Sequence, residues 1–184
     1  QAKCPVILAG NEAIRKNSAK AITKFAESLH IPVINSMMAK GVIPADSICY
    51  LMTIGIPHRD YANLILEKAD LVIAIGYDIV EYAPTKWNKN PRHKIIHVSN
   101  SQAHINKYYQ CAVQVVGDIA DSLAKIANRS AVRELPQELF AIKEKFLKTY
   151  HEDIAVDQFP LKPQRAIAAV RTILGREDIL LSDV

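Results

Sequence analysis

Apolar residues along the first two thirds of the chain occur in short runs, separated by stretches in which apolar positions recur at helical spacing. The runs are bounded by glycine or polar residues, which is typical of strands buried in a parallel sheet. The most apolar run, residues 71–76, predicts a central strand. The predicted strands occupy residues 5–10, 31–36, 71–76, 94–99 and 112–116.

Between these runs, apolar residues at intervals of three and four predict helices that pack on the sheet. One predicted helix begins at Asn11 and continues to Leu29, a shorter one covers residues 61–68, and a third follows a cap at Asp118. Strands that alternate with helices across short loops predict an α/β fold with a doubly wound parallel sheet. We expect this domain to occupy residues 1–130.

The last third of the chain has a different pattern. We expect residues 131–160 to form a linker that contains a helix starting at Pro136. Residues 161–184 predict a helix closed by Gly175 and then a strand at 179–182, as at the start of a second, truncated α/β domain. The chain does not begin with methionine and stops just after this strand, so we expect an excised part of a longer polypeptide.

Composition narrows the class of protein. The chain has 184 residues, of which 49% are hydrophobic and 23% charged, as in an ordinary globular protein. The net charge of +4 is spread over alternating acids and bases, and the basic run at 86–94 is more typical of a polar loop, so we expect no nucleic-acid partner. No apolar run reaches the roughly 18 residues of a membrane helix. Three distant cysteines favour neither a disulfide framework nor zinc, and fit a reducing, cytoplasmic setting.

The motifs of several enzyme classes are absent from the sequence. It has no Gly-x-Ser-x-Gly elbow and no phosphate loop that ends in Gly-Lys-Ser/Thr. A nicotinamide site requires a glycine-rich turn after the first strand and an acidic residue at the end of the second. Here Gly10 is followed by Asn11, Glu12 and Ala13, and the second strand ends in Asn35-Ser36. These residues argue against a standard nicotinamide site.

Glycines at the carboxyl ends of several predicted strands nevertheless outline a crevice. Each can serve a tight turn after its strand, or allow the backbone to approach a nucleotide, and the sequence leaves both interpretations open. The candidate cofactor-binding residues are Gly10, Gly55, Gly76, Gly117 and Asp118. No residue is assigned a catalytic or metal-binding role.

One segment carries a specific family pattern. Residues 66–78, followed by Glu81-Tyr82-Ala83-Pro84 and Trp87-Asn88, closely resemble the central domain of thiamine-diphosphate-dependent acetolactate synthases, above all their catabolic branch. The pattern is Ile-Gly-Tyr-x-x-x-Glu-Tyr-x-Pro-x-x-Trp-Asn. The resemblance covers residues 4–127 and implies a Rossmann-like, DHS-like NAD/FAD-binding topology. Residues 162–183 are similar to the opening of the family's diphosphate-binding domain.

The resemblance also implies a function for the complete enzyme. The family joins two pyruvates into 2-acetolactate with loss of carbon dioxide, using thiamine diphosphate held through magnesium between its other two domains. This chain alone would then be inactive and would bind neither thiamine diphosphate nor magnesium. Its partners would be the remaining domains of the same polypeptide, in a homo-oligomer, a dimer or tetramer.

A flavin separates the two branches of the family. The biosynthetic branch binds FAD in this domain and the catabolic branch does not. The single glycine of the first turn, the Gly55-Ile56-Pro57-His58 loop and Ser99-Asn100 depart from the FAD-binding pattern, so FAD is not expected. Two alternatives stay open: an FAD- or ADP-binding module of a biosynthetic-type acetohydroxyacid synthase, and the middle domain of a related decarboxylase or carboligase.

Overall fold

A computed structural model of the chain describes residues 2–55, 61–175 and 177–181. Contacts divide the chain into two compact units, Gln1–Lys143 and Glu144–Val184. The larger unit contains the sheet and both hydrophobic cores. The division that we predict at residues 130 and 160 stays a prediction.

The described part of the larger unit contains one sheet of six strands, and every pairing in it is parallel. The spatial order is β3-β2-β1-β4-β5-β6. Strands β2 and β3 are added on one side of β1 and strands β4 to β6 on the other, so the order of the strands switches between β1 and β4. In such sheets, ligands bind outside the carboxyl ends of the strands at this switch point. The strands are β1 Pro5–Ala9, β2 Val33–Ser36, β3 Tyr50–Ile54, β4 Leu71–Ile75, β5 Lys94–Ser99 and β6 Cys111–Val116.

Helices cover both faces of this sheet, which confirms the doubly wound α/β prediction. Successive residues of β1 point to opposite faces: Val6 and Leu8 belong to one core, Ile7 and Ala9 to the other. Burial on both sides explains the unbroken apolar run of this strand. The helices are α1 Asn11–Arg15, α2 Ala19–Leu29, α3 Tyr61–Lys68, α4 Pro84–Trp87, α5 Ile119–Ala127, α6 Gln137–Ala155 and α7 Pro163–Ile173.

Each core combines one sheet face with its own helices. The first core contains Ile65 and Leu66 of α3 together with Leu139 near the start of α6. The second contains the apolar stripe of α2 and the residues Ile119 and Leu123 of α5. The stripe of α2 has the spacing of one helical face, because it consists of Ile22, Phe25, Ala26 and Leu29.

The continuous helix predicted over residues 11–29 is wrong, because the structure breaks it into α1 and α2. Asn17 lies between them with φ 53°, in the left-handed region that asparagine tolerates better than most residues. The N–H of Ser18 donates to the carbonyl of Ala13 at 2.9 Å and closes the break. The short α1 therefore belongs to the turn that follows β1.

Two further differences concern strands. Strand β3 was not predicted, since Leu51 and Met52 also favour helices and the run shows no alternation of apolar and polar residues. The strand predicted at 179–182 is wrong for residues 179–181, which form no strand in the described part of the chain. A strand needs a hydrogen-bonded neighbour, and Ile179 and Leu181 are exposed instead. Ser182 lies outside the described residues.

Candidate functional site

A cavity of about 270 Å³ lies at the carboxyl ends of β1, β4 and β5, at the switch point of the sheet. It is slightly smaller than the ~300–1,000 Å³ of ordinary small-molecule sites. Its acidic and basic lining residues are Glu12, Arg15, Asp78 and Glu81, and two histidines, His97 and His104, also line it. We call this cavity the carboxyl-edge pocket.

Glu81 is the most extensively bonded residue of the carboxyl-edge pocket. Its carboxylate accepts hydrogen bonds from the backbone N–H of Asn11, at 2.9 and 2.8 Å to its two oxygens, and from the N–H of Asp78 at 2.9 Å. The hydroxyl of Ser36, at the end of β2, donates to the same carboxylate. A single side chain thus joins the ends of β1, β2 and β4.

Gly10 and Gly76 bring these strand ends together. A Cβ on Gly10 would lie 2.3 Å from the Cα of Tyr77 and 2.6 Å from an oxygen of Glu81. Gly76, with φ 58°, has the same relation to α1, since its Cβ would lie 2.4 Å from the backbone nitrogen of Ala13. Other parts of the chain therefore pack directly against each glycine. The segment that follows β4 fills the space beside the backbone at the end of β1.

Two more carboxylates line the carboxyl-edge pocket. The hydroxyl of Ser99, at the end of β5, donates to Glu12. Asp78 accepts from the N–H of Val80 at 3.1 Å, and its other oxygen lies 3.5 Å from Nδ1 of His104. Both members of the Asp78–His104 pair are well exposed, so solvent screens their interaction.

His97 is a buried histidine that lines the carboxyl-edge pocket. It projects from β5 and is 2% exposed, and its Nδ1 lies 3.0 Å from the hydroxyl of Tyr109. Its Nε2 has no hydrogen-bond partner among the described residues. Burial lowers the pKa of His97, against smaller opposing contributions from the Ser101 backbone and from Glu12. We therefore expect a neutral imidazole at pH 7.

Aromatic rings form part of the wall of the carboxyl-edge pocket and pack behind it. The indole N–H of Trp87 donates to the hydroxyl of Tyr77 at 3.1 Å, and that hydroxyl donates to the carbonyl of Tyr82. The rings of Tyr77 and Tyr109 lie 5.5 Å apart, and Trp87 meets Tyr109 edge to face at 6.3 Å. Burial raises the pKa of both Tyr77 and Tyr109 far above the usual value for tyrosine. We call Tyr77, Trp87, His97 and Tyr109 the aromatic cluster.

The remaining polar residues of the family pattern also bond within the chain. The side-chain amide of Asn88, which is 2% exposed, donates to the carbonyl of Tyr108 at 2.7 Å. The hydroxyl of Tyr82 accepts from Asn63 of α3 at 3.0 Å. The polar side chains at the specified positions of the pattern therefore each have an internal contact; they are Tyr77, Glu81, Tyr82, Trp87 and Asn88.

The candidate residues proposed from the sequence do not form one site. Gly76 lines the carboxyl-edge pocket and Gly10 adjoins it through Glu81. Gly117 and Asp118 border a different cavity, of about 750 Å³, between β6 and α5. Asp118 caps α5 by accepting the N–H of Asp121 at 2.9 Å, as predicted. Gly55 lies beside Met37, and the rest of its loop, residues 56–60, lies outside the described residues.

Sequence reasoning missed the residues that fill the carboxyl-edge pocket. Glu81 belongs to the quoted pattern, but no spacing rule indicates that its carboxylate reaches back to Asn11. Ser36 and Ser99 each end a predicted strand, and that position is the signal that could have placed them beside Glu81 and Glu12.

Two searches of the described residues bear on other functions. They contain no group of three His, Cys, Asp or Glu side chains that could hold a metal ion. None of the described helices combines the length and the apolar character needed to cross a membrane.

Comparison with known proteins shows the family to which the chain belongs. Residues 1–126 match the family described as thiamine pyrophosphate enzyme, central domain, and the chain belongs to this family. The X-ray structure of a protein from Mycobacterium smegmatis, assigned to the thiamin diphosphate-dependent enzymes, shares the fold with a TM-score of 0.58 at 20% identity. That match covers 72% of this chain and 26% of the other.

Among curated proteins, the chain is similar to acetolactate synthases. It is 32% identical to the acetolactate synthase of Bacillus subtilis over 82% of this chain and 27% of that enzyme. It is 27% identical to a catabolic acetolactate synthase of Raoultella terrigena over 100% of this chain and 33% of that enzyme. The chain thus spans about a third or less of the length of these relatives. The family resemblance drawn from the Tyr77-to-Asn88 pattern is confirmed.

A flavin is the cofactor against which the carboxyl-edge pocket can be tested. Its diphosphate would need unoccupied N–H donors beside β1 and a neutral or positive lining. The N–H of Asn11 is already bonded to Glu81, and Gly10 is covered by Tyr77 and Glu81. The described residues of the carboxyl-edge pocket therefore do not fit a dinucleotide diphosphate.

Proposed function

We propose that the chain is the central structural domain of an enzyme that joins two pyruvates into 2-acetolactate with release of carbon dioxide. The observation that carries this proposal is the internal use of the family pattern. Tyr77, Glu81, Trp87 and Asn88 all bond within the chain, so the pattern serves packing rather than chemistry. The relatives named acetolactate synthase supply the reaction.

In this proposal the chemistry belongs to the other domains of the same polypeptide. Thiamine diphosphate, with magnesium, supplies the carbanion chemistry there. The role of this chain is to hold those domains in position, and no proton transfer or substrate contact is assigned to its residues. Its own contribution is a rigid sheet whose strand ends are joined by Glu81.

The proposal extends to partners, flavin and location. The enzyme works in the cytoplasm as a homo-oligomer, a dimer or tetramer, and without FAD. Support for the last point comes from the carboxyl-edge pocket, where carboxylates stand in the place of a diphosphate.

The test is an assay of the complete polypeptide that carries this chain. Pyruvate is supplied with thiamine diphosphate and magnesium, and acetolactate is measured with and without added FAD. We expect acetolactate at the same rate in both mixtures. A polypeptide that consumes no pyruvate would refute the reaction, and a requirement for FAD would refute the flavin-free assignment alone.

A further inference from the structure

Glu81 occupies the hydrogen-bond donors that an anion at the switch point would use. Three groups converge on its carboxylate: the N–H of Asn11, the N–H of Asp78 and the hydroxyl of Ser36. Backbone N–H groups at strand ends, supplemented by hydroxyls, are the usual partners of phosphate oxygens in parallel sheets. The site therefore has the hydrogen-bond donors of an anion-binding site, and the anion that accepts from them is the carboxylate of Glu81.

The charge of Glu81 is not neutralised by an ion pair in the described part of the chain. Glu12 and Asp78 add two more carboxylates to the lining, and Arg15 is the one lysine or arginine among the described lining residues. A phosphate that entered would lie among like charges in a partly enclosed space, where repulsion is stronger than in bulk water.

From these contacts we infer that Glu81 determines which ligands the carboxyl-edge pocket rejects. Its carboxylate acts as a built-in anion that excludes phosphate-bearing ligands, nucleotides included, by occupying their donors and by repelling their charge. The inference rests on the proposal that the pocket works without a flavin, and it assigns that property to one side chain.

Two substitutions separate the two effects of Glu81. In Glu81→Gln the amide oxygen can still accept from Asn11 and Asp78 while the amide nitrogen donates to Ser36. The change loses one of the two contacts with Asn11, but it removes the charge and keeps the size of the side chain. Glu81→Ala removes the charge and also frees the donors. Glu67→Ala is the matched control, because Glu67 is exposed on α3 and does not line the pocket.

The experiment is calorimetric titration of the 184-residue chain and its variants with ADP, and separately with inorganic pyrophosphate. We expect no binding to the wild type or to Glu67→Ala at millimolar ligand. Glu81→Gln should bind measurably, and Glu81→Ala should bind about tenfold more tightly than Glu81→Gln, since it also offers the freed donors. Binding of pyrophosphate as well as ADP would show that the variants recognise the phosphate groups. Binding of ADP alone would show that they also require contacts with the nucleoside.

Each other outcome contradicts a stated claim. Binding of ADP or pyrophosphate to the wild type would refute both the built-in anion and the flavin-free pocket. A wild type and two Glu81 variants that all fail to bind would overturn the role of Glu81 while leaving the flavin-free pocket intact. Equal gains in affinity in Glu67→Ala and in the Glu81 variants would show that the effect comes from net charge alone, and this result would also overturn the role of Glu81. Circular dichroism checks folding, and if Glu81→Ala fails to fold, Glu81→Gln decides alone.

Discussion

The backbone N–H of Asn11 donates to both carboxylate oxygens of Glu81, at 2.9 and 2.8 Å, across 70 residues of sequence. This contact fixes the turn after β1 to the segment after β4. Because Ser36 donates to the same carboxylate, three strand ends depend on one side chain at the point where other proteins of this topology bind ligands.

Truncation of Glu81 should therefore destabilise the larger unit. Glu81→Ala leaves the N–H groups of Asn11 and Asp78 and the hydroxyl of Ser36 without their acceptor. We expect the free energy of unfolding to fall by about 2–4 kcal/mol, since unpaired, partly buried donors are costly. Urea unfolding followed by Trp87 fluorescence measures the change. A loss as small as that of Glu67→Ala would show that the carboxylate contributes little to stability.

A methyl group on Gly10 should be more harmful than one on Gly41. In Gly10→Ala the new Cβ would meet backbone atoms at 2.3 and 2.5 Å, from Tyr77 and Gly76. We expect a loss of more than about 3 kcal/mol. Gly41→Ala introduces strain at φ 90° but meets no atom within 4 Å, so its cost should be about 1–2 kcal/mol. Thermal unfolding of both variants compares them, and equal losses would contradict the close approach of β4 to Gly10.

Stability should depend on pH through His97. Burial lowers the pKa of His97 in the folded chain, whereas the unfolded chain binds its proton near pH 6.5. The unfolded state therefore holds more protons just below this pH, and stability falls as the pH decreases from about 6.5 toward the folded pKa. The largest slope from one such group is about 1.4 kcal/mol per pH unit.

The pH prediction is checked by urea unfolding at pH 7.5 and 5.0 for the wild type and for His97→Gln. Burial also lowers the pKa of His93, so the variant should lose part of the pH dependence and not all of it. An unchanged pH dependence in His97→Gln would contradict the buried, neutral imidazole.

The sequence predicts the sheet better than the site. Five of the six strands have apolar runs, because β1, β2, β4 and β5 lie inside the sheet and the edge strand β6 keeps Cys111 and Val115 partly buried against the cores. Strand β3 escaped prediction since its short run on the sheet edge fits a helix equally well. The break at Asn17 depends on one left-handed residue, which periodicity does not reveal.

The contents of the carboxyl-edge pocket depend on contacts between distant parts of the chain. Glycine after β1 and β4 indicates that something approaches the backbone there. Only the structure shows that Glu81 and Tyr77 do so. The pattern from Tyr77 to Asn88 identified the family. That its residues form an aromatic cluster behind the carboxylate of Glu81 could be seen only in the structure.

The central claim is that this pattern builds structure and performs no chemistry, and Trp87→Phe in the complete polypeptide tests it most directly. The change removes the hydrogen bond to Tyr77 and leaves a gap beside Tyr109, at a cost of about 1–3 kcal/mol. The control is Phe159→Leu, at a side chain that is 98% exposed. We predict a lower thermal midpoint for Trp87→Phe and an unchanged thermal midpoint for the control. We also predict that Trp87→Phe leaves kcat for acetolactate formation per folded enzyme unchanged. A fall in kcat of about tenfold or more with an unchanged thermal midpoint would contradict the claim.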